Sequence, residues 1–255
     1  MNVAIMQPYF FPYLGYIQLI AHCDLFVFFD VVQYNQKSWM SRNRILHPDQ
    51  KQGFQYINVP VKKQTKGTYI KDTYIDNTQD WQEKIRGQLS IYKKLHAPFY
   101  TETLKLLESI FQKKYEKLLD LNQTATVLLM EYLDIGIDYK VASELQLDYG
   151  AIALAGDWAF EISKALNAKM YTNPYSGYEI FDEEKFTSSG IQLTFLKSNL
   201  SPYKQSQREP FIPGLSIVDI LMFYSKEDVK NLILNDYKLY GKKDLEQLLR
   251  KDCNG

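Results

Sequence analysis

Histidine and cysteine are nearly missing from this chain, with three His and two Cys in 255 residues. Cys23 and Cys253 stand near opposite ends without metal-like spacing, which argues against a disulfide framework and fits a reducing compartment. His22, His47 and His96 show neither HxxxH nor HxH spacing, so no metal site is expected. Excess charge is missing too. Thirty Lys and Arg balance thirty Asp and Glu, so no global field draws the chain to nucleic acid or an anionic membrane. No apolar run approaches the roughly 20 residues that cross a bilayer, and the neutral start runs into a strand pattern rather than a signal peptide. GxGxxG and GxxxxGK[ST] are both absent, which weakens dinucleotide and P-loop readings. There is no internal repeat, low-complexity tract or Ser/Gly linker. A soluble, cytoplasmic globular protein without nucleic-acid partners or membrane insertion is expected.

What is plentiful is aromatic: 20 Tyr and 14 Phe. Such residues either fill cores or build a cleft that stacks a flat ring or a sugar, and composition does not separate the two. Val3 to Met6 is a short apolar run suited to a strand buried on both faces. Pro8 and Pro12 interrupt regular structure, a helix is expected from Tyr16 to His22, and a second buried strand from Leu25 to Phe29. This is a βαβ unit, so the strands should be parallel with a right-handed crossover. Phe54 to Val61 and Thr68 to Ile75 alternate apolar and polar residues, with turns at Pro48-Asp49 and Lys66-Gly67, and read as a small antiparallel insertion. Gln79 to Leu133 carries helical periodicity broken near Ala97-Pro98.

Then the α/β rhythm returns. Strands are expected at Tyr139 to Ala142, Lys169 to Tyr171 and Gln192 to Leu196. Helices are expected at Ala151 to Leu166, Asp182 to Ser189, Ser216 to Phe223 and Lys226 to Leu234, followed by a polar tail. The fold class is α/β, a mostly parallel Rossmann-like sheet. Residues 1–44 and 135–224 form its core, 45–78 a β insertion, 79–134 a helical segment, and 225–255 the C-terminal helices and tail.

Two segments concentrate chemistry. Gln7 to Tyr16 follows the first strand and enters a helix, where open α/β sheets bind ligands and helix N–H groups are free. Gln7 supplies an amide, Tyr13 and Tyr16 hydroxyls, Pro12 a rigid turn, and Gly15 room for a close phosphate. Asp30 to Asn43 follows the second strand and emerges on the same rim. Lys37, Arg42 and Arg44 suit phosphate or carboxylate, Asp30 a base or metal ligand, and Trp39 and Tyr34 a stacked ring. Gln33 and Asn43 add polar contacts. Asn173 and Tyr175 follow a later strand and offer a second wall. Cys23 reads as core inside the first helix, and Ser216 and Asp219 as helix-capping residues.

The opening QPYFFPYLGY, followed by D-x-F-V-x-x-D-x-V-Q-Y, K-S-W and R-N, resembles the WbqC-like family. Asn58 to Val61 (N-V-P-V), Tyr92 to Phe99 and Phe211 to Leu221 extend the resemblance over nearly the whole chain. It implies bacterial gene clusters for surface polysaccharides such as O-antigen, or glycolipids, often beside sugar aminotransferases. More loosely, the opening looks like nucleotidylyltransferase-type folds, including pantothenate synthetase. There Tyr13-Leu14-Gly15-Tyr16 stands in place of an H-x-G-H signature, so neutral phenols replace groups able to carry charge. These readings imply an enzyme that uses ATP and Mg to adenylate an acyl group, aminoacyl groups included, and joins it to an amino sugar. Lys37 and Arg42 would then meet the phosphate charge and Gln7 would orient the reactants. The alternatives are transfer onto a nucleotide-linked sugar without ATP, and a non-catalytic sugar-nucleotide binder. Loss of turnover in Lys37→Ala with an unchanged melting temperature would support a site role for Lys37. Wild-type turnover by that variant would remove Lys37 from the mechanism.

Overall fold

Side chains of the first two strands are buried on alternate faces, and this periodicity organises the molecule. Val3 and Ile5 of β1 (Asn2–Met6) and Leu25 and Val27 of β2 (Leu25–Phe28) face one apolar layer, while Ala4, Phe26 and Phe28 face another. The computed structural model describes residues 1–148, 152, 154–205 and 210–252. Cys253 and the expected helix start at Ala151 lie outside the described residues.

β1 pairs in parallel with β2, which pairs in parallel with β5 (Tyr139–Val141). On its other side β1 pairs with β6 (Met170–Pro174), and β6 with β7 (Gln192–Ser198), again in parallel. β8 (Tyr237–Tyr240) closes the edge antiparallel to β7. The spatial order is β5-β2-β1-β6-β7-β8. Winding starts at the centre, runs outward one way, then restarts on the other side of β1. In a doubly wound sheet this reversal leaves a crevice beyond the strand ends, here between β1 and β6.

Helices α1 (Leu14–His22), α4 (Leu118–Tyr132), α7 (Ile217–Phe223) and α8 (Lys226–Asn235) cover one face. α5 (Ala155–Ala165), α6 (Glu183–Ser188) and α9 (Lys242–Asp252) cover the other. A third apolar cluster lies between the hairpin β3 (Arg42–Leu46) and β4 (Phe54–Asn58) and the helices α2 (Trp81–Lys94), α3 (Tyr100–Phe111) and α4. No described helix is long and apolar enough to cross a membrane.

The structure corrects several boundaries. The antiparallel ladder begins at Arg42, inside the segment read as a basic loop, because Arg42 to Leu46 pairs residue for residue with Phe54 to Asn58. Thr68 to Ile75 is not a strand. It holds a short 3-10 turn at Ile70–Asp72 and isolated bridges from Tyr69, Tyr74 and Ile75. The polar tail is folded as β8 and α9, anchored by wholly buried Leu245. The first helix starts at Leu14, so Gly15 lies inside it and Cys23 caps its end. Burial pushes the Cys23 thiol up to about 12, in keeping with an inert packing role.

One buried amide ties α4 to the rim. Asn122 has no solvent exposure and donates to the carbonyls of Pro8 and Met40, both at 2.8 Å. Asn122→Ala would strand both acceptors, at a cost of about 2–4 kcal/mol. The expected fall in melting temperature is roughly 5–15 °C. An unchanged melting curve would show that these bonds contribute nothing.

Candidate functional site

The doubly wound topology points to the β1/β6 crevice, and a cavity of about 460 Å³ opens there. Met6, Phe29 and Pro174, at the carboxyl ends of β1, β2 and β6, form its base. Trp158 and its neighbours in the first turns of α5 form one wall, and Tyr9, Tyr13 and Trp39 another. The turn at Tyr175–Ile180 closes a third side. That turn sits directly on α5, since a Cβ on Gly156 would lie 2.0 Å from the Ile180 carbonyl oxygen. Any other residue at 156 would push the wall outward.

No charged side chain is found among the described residues that line the cavity. Its polar groups are neutral and few, as in many small-molecule pockets. The Gln7 amide and the Tyr13 hydroxyl make no hydrogen bond within the described residues. Burial, with Tyr9 and then Tyr175 nearby, pushes the Tyr13 hydroxyl up to about 12, and burial raises Tyr9 as well. Both therefore remain phenols at neutral pH and can donate. The Asn173 amide is fixed in orientation: its Oδ1 accepts from the Tyr171 hydroxyl at 2.9 Å, and its Nδ2 donates to the Pro174 carbonyl at 2.9 Å. Such a site can stack a ring and read hydroxyls, amides or amines. Among the described residues no three His, Cys, Asp or Glu side chains group as a metal site would require.

The candidates from sequence divide into three groups. Gln7, Tyr13, Trp39 and Asn173 line the cavity, with Tyr175 on the turn beside it. Pro12, Gly15, Tyr16, Tyr34, Asn43 and Asp30 belong to the scaffold behind it. Tyr16 is wholly buried, with its hydroxyl donating to the Gln7 carbonyl at 2.9 Å. The space beside Gly15 holds the Tyr13 ring, since a Cβ there would fall 2.5 Å from Cε2, so this glycine seats an aromatic wall rather than a phosphate. The Tyr34 hydroxyl meets Ser41 Oγ at 2.8 Å. Asn43 is buried and donates to the carbonyls of Phe10 and Phe11 at 3.0 and 2.8 Å. The Pro12 carbonyl accepts from Ile217 N at 2.8 Å. Asp30 points toward the short 3-10 turn after β5 (Ala142–Glu144), where its oxygens accept from Ser143 N and Oγ at 2.9 and 2.6 Å. It is a brace between strand ends. Lys37, Gln33 and Arg42 lie outside the cavity: the first two are exposed, and Arg42 is on the hairpin.

Sequence reasoning missed Tyr9 and Trp158. Trp158 had one available signal, its place in the first turns of a helix that follows a core strand, on the same rim by topology.

Asp219 also departs from its expected capping role. Ser216 is the cap, accepting from Val218 N. Asp219 is wholly buried and accepts from the Tyr92 hydroxyl at 2.5 Å, from Gln205 Nε2 at 3.1 Å, and from the Tyr203 hydroxyl. Burial outweighs these three donors and raises its carboxyl to about 6. The folded state therefore holds the proton to higher pH than the unfolded chain, whose carboxyl titrates near 3.8. This contribution to stability is complete below about 4 and is lost as pH climbs through about 6. Asp219→Asn is expected to flatten the dependence of denaturation midpoint on pH across that window. An unchanged slope would assign it to other groups.

The pattern of the WbqC-like protein family matches residues 7–231. The chain is similar to the uncharacterized protein Rv1507c of Mycobacterium tuberculosis, with 31% identity over 225 residues, covering 86% of this chain and 92% of that protein. No solved structure matches. The matched stretch contains the rim loops, the hairpin, strands β2, β5, β6 and β7, helix α7 and most of α8, and the chain belongs to the WbqC-like protein family.

Proposed function

We propose that this WbqC-like protein is an enzyme of amino-sugar chemistry in bacterial surface-glycan assembly. In this reading it joins an acyl group, aminoacyl groups included, to the amine of a sugar through an adenylate formed from ATP with Mg. One observation carries the amino-sugar part of the reading: an aromatic cavity at the switch point, without a charged side chain among its described lining, and with the Gln7 amide and Tyr13 hydroxyl open. A volume of about 460 Å³ suits a monosaccharide with part of a second group. The apolar face of a sugar ring stacks on Trp39 or Trp158, while Gln7, Tyr13 and Asn173 read its polar edge.

The chemistry asks little of the side chains. The amine nitrogen attacks the acyl carbon, the bond from that carbon to the phosphate oxygen breaks, and AMP leaves with the electron pair. The amine proton passes to solvent or to the departing phosphate. Holding amine and activated carbonyl in contact supplies much of the rate, so a neutral site suffices. Mg would arrive on the nucleotide's phosphates. ATP and sugar substrates of this kind would place the work in the cytoplasm.

A second reading, transfer from a preactivated donor onto a nucleotide-linked sugar, is favoured by the lack of charge in the cavity, where a triphosphate would find no cation. The test is acyl-dependent exchange of pyrophosphate into ATP, across a panel of carboxylic acids, amino acids and amino sugars. Exchange, together with a melting temperature raised by Mg-ATP, is expected. No exchange with any member would end the adenylate reading. A rise with a nucleotide-amino-sugar alone would then support the second, provided acyl transfer from a preactivated donor is detected. Binding without transfer would leave a sugar-nucleotide binder.

A further inference from the structure

The hairpin beside the cavity carries two arginines without a counter-charge among the described residues. Arg42 and Arg44 lie two residues apart on β3 and so project from the same face, about 7 Å apart along the strand. Arg44 stands opposite Tyr56 in the ladder. The guanidinium carbon of Arg42 sits 4.6 Å from the centre of the Tyr56 ring. That of Arg44 sits 4.9 Å from the centre of Phe54 and 5.4 Å from that of Trp39. Each guanidinium donates one hydrogen bond, in both cases from Nη2 to a main-chain carbonyl: Arg42 to Lys37 at 2.7 Å, and Arg44 to Gly214 at 2.9 Å.

Among the described residues neither arginine meets a carboxylate, whereas Arg86 is paired with Glu108 and Glu83. The Nε of each is buried without a partner. Two half-buried like charges on one strand face repel each other, and ring faces offset only part of that cost. The arrangement is nonetheless rigid. Rings hold the guanidinium planes, carbonyls fix one corner of each, and most of the five donors per arginine stay unclaimed.

Trp39 connects this platform to the site. Its ring lines the cavity and also stacks with Arg44, so the cationic face begins where the uncharged cavity ends. We propose that Arg42 and Arg44 form a diphosphate subsite, and that the substrate is a sugar linked to a nucleoside diphosphate. Its sugar enters the cavity past Trp39 while its diphosphate is held outside by the two guanidiniums. This inference deepens the amino-sugar reading and rests on it for the identity of the ring. It also accounts for a cavity with no charge of its own, since the charge of the substrate is met on the hairpin.

The test is calorimetric titration of the full chain with three probes: inorganic pyrophosphate, a nucleoside diphosphate linked to an amino sugar, and an uncharged methyl glycoside of that amino sugar. Wild type, Arg42→Gln, Arg44→Gln and Arg44→Lys are compared, with melting curves for each. Pyrophosphate is expected to bind wild type saturably, at least tenfold more weakly to each Gln variant, and more weakly as salt is raised. The methyl glycoside is expected to bind all four alike. If Arg44→Gln melts early, Arg44→Lys keeps the test open, because it retains charge but loses the fork and should show an intermediate loss. No pyrophosphate binding to wild type, or binding indifferent to all substitutions, would overturn the subsite. Sugars bound while pyrophosphate is ignored would sink the subsite and spare the amino-sugar reading. Pyrophosphate bound through the arginines, with no sugar or nucleotide-sugar bound, would leave an anion site and sink that reading.

Discussion

The first rim loop cannot satisfy its own backbone, and much of the molecule is arranged to do so. Pro8 and Pro12 lack N–H groups and break any regular element, so the carbonyls of Gln7, Pro8, Phe10, Phe11 and Pro12 must find donors elsewhere. They come from Tyr16 in α1, Asn122 in α4, Asn43 in β3, Ser216 at the cap of α7, and the Ile217 backbone. Phe11 takes a left-handed backbone, φ 40°, which a buried aromatic tolerates only when its surroundings hold it there. Its carbonyl accepts two bonds, from Asn43 and Ser216. The loop that carries Gln7, Tyr9 and Tyr13 into the cavity is therefore fixed by segments more than two hundred residues apart in the chain.

That fixation bears on function because the cavity has little else to work with. A neutral site gains selectivity from shape and from a few well-aimed hydrogen bonds, and each loses value quickly if its backbone shifts. Gly156 beneath the Tyr175–Ile180 turn and Gly15 beneath the Tyr13 ring allow contacts that a methyl group would prevent. The aromatic excess is explained twice over. Most of it packs the three apolar clusters, and a minority, Tyr9, Tyr13, Trp39 and Trp158, forms walls.

Charge and ring chemistry are separated in space, with Trp39 between them. Among the described residues the cavity lining has no charged side chain and the hairpin carries two cations, so a ligand with a neutral ring and an anionic tail would meet a matching environment at each end. The first strand of the hairpin was hidden in sequence because Arg42 to Leu46 has no clean apolar alternation. Both of its faces are covered, one by the third core cluster and one by cation–ring stacking.

Local patterning determined the parallel strands β1, β2, β5, β6 and β7, most helices and the βαβ opening, because period-two and period-3.6 burial are written into short windows. It also determined the rim: Gln7, Tyr13, Trp39 and Asn173 reach the cavity because α/β topology sends strand ends to one edge. It did not determine which polar groups on that rim stay free. Asp30, Tyr16, Tyr34 and Asn43 look as reactive in sequence as Gln7. Only the fold brings Ser143, the Gln7 carbonyl, Ser41 and the loop carbonyls to claim them. Asp219 likewise reads as a cap until Tyr92 and Tyr203, from distant segments, meet its buried carboxylate. A polar residue's type is local, but whether a partner satisfies it depends on contacts between distant segments, and those exist only once the chain has closed.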